Sequence, residues 1–360
     1  DFAEFMAIKE HFGNQALQKW DDKKAVARDS SALEKYRTML AEQIQYFKVT
    51  QYFFFKQWTE LKNYANQKGI QIIGDMPIYV AADSVEVWTK PELFQLDEER
   101  NPLFVAGVPA DQFSATGQLW GNPLYAWEEH KKQGYAWWIH RIEESFKIYD
   151  VLRIDHFKGF SDYWQVDGKA EVAKDGSWQP GPGYDLFKAV KEQLGDLPII
   201  AEDLGNIDDK ARKLLTDCNY PGMKILQFGF EDVSGESLDS PHYCIPHSIV
   251  YTGTHDNDVT NGWYNSLTEQ QQQYINDYTH RHEDESICQA MIRQLFATVS
   301  NTAIATMQDV LDLPASSRMN VPSTIGGNWQ WRMQQSDLTQ DKKDFLEKMT
   351  TLYQRANQEK

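Results

Sequence analysis

The chain is poor in cysteine, in positive charge and in long apolar runs. Its three cysteines, Cys218, Cys244 and Cys288, are odd in number and widely spaced over 360 residues. That argues against a disulfide framework or a zinc cluster and fits a reducing compartment, so a cytoplasmic location is expected. Lys and Arg number 36 against 53 Asp and Glu, a net charge of −17. Phosphate backbones and anionic lipid surfaces attract clustered cations, so neither nucleic acid nor membrane is an expected partner. No apolar run approaches the roughly 18 residues of a spanning helix. The first residues, Asp1-Phe2-Ala3-Glu4-Phe5, have neither the basic region nor the apolar core of a secretory leader. They also lack a Met, and further sequence upstream is expected. No internal repeat stands out. Gly-x-Ser-x-Gly, His-x-His and His-Glu-x-x-His are all missing, and Gly326-Gly327-Asn328 is no phosphate loop because no Lys-Ser/Thr follows.

Aromatic residues, by contrast, are abundant: 12 Trp, 17 Tyr and 18 Phe. Such an excess either fills a core or lines a surface that stacks on flat groups such as sugar rings. The chain is long enough to bury a substantial core.

The first 68 residues read as helices, with apolar residues at Ile44, Phe47, Phe54, Phe55, Trp58, Leu61 and Ala65, and Gly69 as a stop. Six short apolar runs then follow, each ending in polar residues. They are Ile70–Ile73 (ending at Gly74-Asp75), Val151–Ile154 (Asp155-His156), Pro198–Ala201 (Glu202-Asp203), Lys224–Phe228 (Gly229), Ile249–Thr252 (His255-Asp256) and Thr302–Thr306 (Gln308-Asp309). Helical stretches such as Asp185–Leu194 and Glu285–Val299 separate most of them. Alternating strand and helix predicts an α/β fold with a parallel sheet. Polar residues at the C-terminal ends of the strands are the pattern of the active face of a (β/α)8 TIM-type barrel. Six strands are too few to close it, so the first strands are expected upstream of Asp1. The expected organisation is one incomplete barrel over residues 1–360, with an inserted, largely helical and loop excursion over 78–148. A second excursion, Asp175–Gly183, carries Trp178 and Pro180-Gly181-Pro182-Gly183.

Asp155, Glu202 and Asp256 fall at strand ends, which converge around a barrel axis. Two carboxylates about 5–5.5 Å apart suit a retaining glycosyl transfer, one as nucleophile and one as acid/base. The acid must keep its proton near neutrality, through burial or a neighbouring anion. The nucleophile must stay ionised, which a cation favours; Arg153, two residues before Asp155, projects to the same side of a strand. Two other readings stay open. Carboxylates after strands commonly cap the next helix. His156 with Asp155, and His255 with Asp256 and Asp258, could hold a divalent ion in a hydrolase.

Six ordered segments then carry a resemblance: Ile73–Ile78, Ser114–Pro123, Arg153–Phe157, Ala201–Gly205, Gly253–Asp258 and Gly327–Arg332. Over essentially the whole chain the sequence resembles the amylomaltase (4-α-glucanotransferase, disproportionating enzyme) family, relatives of the α-amylases. The resemblance implies transfer of α-1,4-glucan segments among maltose, maltooligosaccharides, starch or glycogen through a covalent glucosyl-enzyme, with no cofactor and no metal. It implies Asp155 as nucleophile, Glu202 as acid/base and Asp256 as the group that binds hydroxyls and distorts the ring. Arg153 would hold Asp155 ionised, and His255 and His156 would bond sugar hydroxyls. Asp75 would contact the donor sugar or order its neighbours. The loop Asp111–Trp120 would cover the acceptor side, with Phe113 and Trp120 as stacking platforms. Asp111, Gln118 and Asn328 complete the implied substrate-binding set. Gln112 departs from the family pattern, which has an aromatic there. A glucan hydrolase and a catalytically silent glucan-binding protein are the alternatives on the same scaffold.

Overall fold

The computed structural model describes residues 1–110, 116–205 and 207–356. The chain divides into two compact units, Asp1–Tyr220 and Pro221–Lys360. The first opens with helices, among them Phe2–His11, Ser30–Met39 and Ala41–Gln67. In the last of these only Ile44 is buried, and Phe54, Phe55 and Leu61 are exposed despite their helical spacing. Gly69, at φ +74°, lies just past its C-terminal end.

Ten strands follow among the described residues: β1 (Ile73–Met76), β2 (Phe104–Val108), β3 (Gln118–Pro123), β4 (Val151–Ile154), β5 (Asp162–Asp167), β6 (Ser177–Pro180), β7 (Ile199–Ala201), β8 (Gly222–Ile225), β9 (Ser248–Tyr251) and β10 (Thr302–Ile304). In the first unit β1, β4 and β7 form a parallel sheet in that order. The helix Ala136–Ile148 precedes β4, and Tyr184–Leu194 precedes β7. Such βα repeats bury their strands beneath the connecting helices. A second, antiparallel sheet, in the order β3-β2-β5-β6, draws β2 and β3 from residues 78–148 and its other two strands from the segment after β4. In the second unit β8, β9 and β10 form another parallel sheet, with β9 central.

Two strands are displaced from the sequence reading. The first lies over Ile73–Met76 rather than Ile70–Ile73, so Gly74 and Asp75 are within it. Gly74 is there because a Cβ would stand 2.0 Å from the Tyr149 ring. The fourth lies over Gly222–Ile225 rather than Lys224–Phe228, because Leu226–Gly229 turns into helix. Gly229 permits that turn, since a Cβ would meet the Asp239 carbonyl at 2.7 Å.

The aromatic excess is mostly core. Trp20, Trp88, Trp138, Tyr125, Phe157, Phe160 and Phe187 are fully buried in the first unit, and Phe230 in the second. Trp120, Trp178 and Trp329 are exposed. No helix among the described residues is long and apolar enough to cross a membrane.

Candidate active site

Parallel register sets the first group. Asp75 on β1 lies opposite Arg153 on β4, and Arg153 lies opposite Ile200 on β7. The ladder continues one bond beyond the strand ends. Asp155 N–H donates to the Met76 carbonyl at 3.0 Å, and Glu202 N–H donates to the Ile154 carbonyl at 3.0 Å. Both carboxylates therefore stand on backbone as fixed as the sheet itself.

Arg153 is 8% exposed, an arginine buried at the sheet end. Its Nη1 donates to both oxygens of Asp75, at 2.6 and 2.7 Å, and lies 3.2 Å from Asp155 Oδ1. Burial alone would lower the guanidinium's pKa; Asp75, Asp155 and Glu202 outweigh it and hold the group above its ordinary value. Asp75 is thus the closer partner of Arg153, and Asp155 the second. One cation serves two carboxylates.

Glu202 has a different environment. Its Oε2 accepts the His156 N–H at 2.7 Å, and its Oε1 accepts the Leu204 N–H at 2.9 Å. Burial pushes its pKa up to about 7, against the pull of Arg153; the negative charge of Asp155 adds to the rise, and the two N–H bonds oppose it. A carboxyl poised near neutrality beside an arginine-paired aspartate matches the division of labour between an acid and a nucleophile.

His156 follows Asp155 in the left-handed region, φ 51° and ψ 52°. A non-glycine residue there costs about 1 kcal/mol or more. Burial pushes its imidazole down to about 4, with the Lys158 charge adding, so the ring is neutral at pH 7. Gly159 seats it: a Cβ there would stand 2.7 Å from Ile78 Cδ1 and 3.1 Å from the imidazole. Trp120, from β3, meets the His156 ring edge-on at 4.8 Å and donates Nε1–H to Gln118 Oε1 at 3.3 Å. Six predicted residues of this unit, Asp75, Trp120, Arg153, Asp155, His156 and Glu202, are thereby linked through direct contacts, with Gln118 bonded to Trp120. Asp111 and Phe113, and with them Gln112, lie outside the described residues.

The second unit holds the third carboxylate. Past the end of β9, Thr252 donates its hydroxyl to Asp309 Oδ2 at 2.6 Å. Asp309 Oδ1 accepts the Thr260 N–H at 2.8 Å. This buried aspartate clamps both ends of the loop that carries His255 and Asp256. Gln227, also buried, donates to the Asp258 carbonyl at 2.9 Å. Arg318 Nη2 donates to the Asp256 carbonyl at 2.6 Å, and Asn320 Nδ2 donates to Asp256 Oδ1 at 2.6 Å. His255 Nε2 is 3.4 Å from Asp256 Oδ2, and its ring packs on exposed Trp329 at 5.0 Å. A cavity of about 210 Å³ opens here, lined by Thr254, His255, Asn257, Gln308, Met319 and Trp329 among others. Asn328 is engaged within its own loop: its Oδ1 accepts the Val321 N–H at 3.0 Å and its Nδ2 donates to Thr324 Oγ1 at 3.0 Å.

The sequence reading missed Asn320, Arg318, Asp309, Gln227 and Lys158. Asp309 reads only as a polar residue after the last apolar run and Gln227 only as part of the fourth; Arg318, Asn320 and Lys158 lie at no strand end. Among the described residues, the one grouping of three side chains able to hold a metal is His140, Glu143 and Glu144 on the exposed face of the helix Ala136–Ile148. Acidic groups at helical spacing are common there without an ion.

Comparison with known proteins identifies the family. A family model described as 4-alpha-glucanotransferase matches residues 1–339. A 4-alpha-glucanotransferase of Streptococcus pneumoniae is 53% identical over 358 residues, covering 99% of this chain and 71% of that protein. One from Clostridium butyricum is 42% identical over 360 residues, covering 99% and 73%. An amylomaltase from Streptococcus agalactiae, solved in complex with acarbose, is 61% identical with a TM-score of 0.97, covering 99% of this chain and 72% of that one. The α/β fold is accordingly that of the TIM-type amylomaltases. The chain belongs to the 4-alpha-glucanotransferase family.

Proposed function

We propose that the chain carries out 4-α-glucanotransfer by retaining double displacement, with Asp155 as nucleophile and Glu202 as acid/base. The observation that carries this is the contrast between the two carboxyls: Asp155 beside the Arg153 cation, Glu202 raised to about 7. Asp155 attacks the anomeric carbon of an α-1,4-glucan while Glu202 passes its proton to the departing O4. A β-glucosyl ester forms on Asp155, which loses its charge. One cause of the raised Glu202 pKa is that charge. The same carboxyl therefore becomes more acidic once the ester exists, and takes up the role of base toward the incoming acceptor hydroxyl. Asp256, held by Asn320 and Arg318, presents a fixed anion to donor-sugar hydroxyls. His255 and neutral His156 bond further hydroxyls, and Asp75 orients Arg153.

Transfer outcompetes hydrolysis when an acceptor sugar occupies the site and excludes water. Exposed Trp120, leaning on His156, offers it a stacking platform. The substrates we assign are neutral maltose, maltooligosaccharides, starch or glycogen, toward which a net charge of −17 is indifferent. The three free cysteines suit a cytoplasmic setting.

The test is incubation with maltotriose. Glucose together with longer oligomers is the expected outcome. Glucose and maltose alone would make the chain a hydrolase, and binding without products would make it a silent glucan-binding protein. Loss of activity in a chelator would replace the carboxylate mechanism with a metal-dependent one. With Glu202→Gln and an α-glucosyl fluoride donor, the glycosyl-enzyme should accumulate as a mass increase on the peptide containing Asp155. Its appearance on another residue overturns the nucleophile assignment.

A further inference from the structure

We propose that Lys158 is a positioning residue for the acid/base, tying the turn after Asp155, which bonds Glu202, to β5 and to the N-cap of the helix Asp209–Cys218. The proposal rests on Glu202 being the acid/base. Lys158 lies in the 3-10 turn Phe157–Phe160, and its side chain is 11% exposed. The ammonium donates to Asp162 Oδ1 at 2.5 Å and to Asp208 Oδ2 at 2.6 Å, and sits 4.5 Å from the centre of the Trp178 ring. Three elements meet at one nitrogen: β5 through Asp162, β6 through Trp178, and the helix Asp209–Cys218 through its N-cap Asp208.

Asp208 connects this to catalysis. Its Oδ1 accepts the Ala211 N–H at 2.9 Å and so starts the helix, while its Oδ2 accepts the hydrogen bond from Lys158 Nζ. Glu202 is held by the bonds from its N–H and to its carboxylate described above, and Asp208 by the helix cap and Lys158. The Phe157 N–H, next to Lys158, also donates to the Glu202 carbonyl at 3.0 Å. One short turn therefore holds the acid/base residue at its backbone and Asp208 at its side chain. Without the ammonium, the Asp162 and Asp208 carboxylates face each other with no cation between them. Their repulsion displaces the turn, and with it the Phe157 N–H that anchors Glu202, and so moves the acid/base off the glycosidic oxygen. A displacement of this kind costs far more in rate than in binding.

The experiment compares two donors in the full-length enzyme. Maltotriose needs its leaving oxygen protonated, whereas α-maltosyl fluoride expels fluoride without an acid. Lys158→Met is expected to lower kcat/KM on maltotriose by about 10- to 100-fold and on the fluoride by no more than about threefold. Lys158→Arg should restore most of the maltotriose rate. Adding Asp208→Asn to Lys158→Met should recover part of the maltotriose rate, because it removes one of the two repelling carboxylates. Equal losses on the two donors, no loss, no recovery with arginine, or no recovery with Asp208→Asn would each overturn the proposal. Should Lys158→Met fail to fold, Lys158→Gln is read with the same donor pair. Glu202→Gln is the separate control: if it fails to give the donor split, the acid/base assignment falls, whatever Lys158 does.

Discussion

The carboxylates of the two units are held by different physics. At the ends of β4 and β7, Asp155 and Glu202 sit among charges. Arg153 is shared with Asp75, and each group's ionisation alters its neighbour's. Past β9, the Asp256 carboxylate, 47% exposed, takes its shortest side-chain bond from a neutral amide, Asn320, and an arginine binds its main chain. A coupled cluster lets a proton change places during the reaction, because moving one charge retunes the next. An amide-held carboxylate keeps one orientation. The first arrangement suits the groups that form and break bonds; the second suits a group that only has to be there.

The sharpest way to break this comparison is to neutralise Asp155. Asp155→Asn should lower turnover of maltotriose by at least about 10³-fold. Binding of a maltooligosaccharide, measured by calorimetry, should persist, and unchanged turnover would end the assignment. Next comes Glu202→Gln, expected to lower kcat on maltotriose by about 10²- to 10⁴-fold. In the parent enzyme, kcat/KM on maltotriose should fall as pH rises through about 7, because donor cleavage needs Glu202 protonated. On α-maltosyl fluoride that alkaline limb should be absent.

Asn320→Ala probes the other side of the comparison. Losing one hydrogen bond to a charged group should lower kcat by about 10-fold while leaving the pH profile in place. A displaced alkaline limb would show that Asp256 belongs to the coupled cluster after all. The smallest effect is thermodynamic. The folded-state pKa of Glu202 is raised, so the folded protein binds that proton more tightly than the unfolded chain. Its contribution to stability is present at pH values below the ordinary carboxyl range and is lost as pH rises toward about 7. The melting temperature of Glu202→Gln relative to the parent should therefore move in the variant's favour between pH 5 and pH 8. A difference independent of pH would place Glu202 outside any stability cost.

The legible part of the site was the part written as a sharp change of polarity. Val151–Ile154 and Ile199–Ala201 are short apolar runs cut off by Asp155 and Glu202, and alternation puts Arg153 beside Asp155. The run Ile70–Ile73 ends before Gly74 and Asp75, and glycine ordinarily weakens a strand. Here the Tyr149 ring, seventy-five residues away from Gly74, requires that glycine in the strand. The antiparallel sheet was read as helix and loop, since β2 and β3 are short and interrupted by Gly107, Gly121 and Pro123. Asn320 and Arg318 sit in a loop whose only structural signal is the distant Asp256. Lys158 and Asp162 have helical spacing and read as an ordinary surface pair; Asp208, fifty residues further on, gives the pair its other meaning.

The left-handed turn at His156 separates two jobs of one residue. It directs two successive peptide N–H groups, those of His156 and Phe157, at a single residue, Glu202. Any residue but proline supplies such an N–H, so the anchoring of Glu202 here is indifferent to the side chains at positions 156 and 157. In the mechanism proposed above, the imidazole of His156 is thereby left for the sugar while its peptide group serves the acid/base.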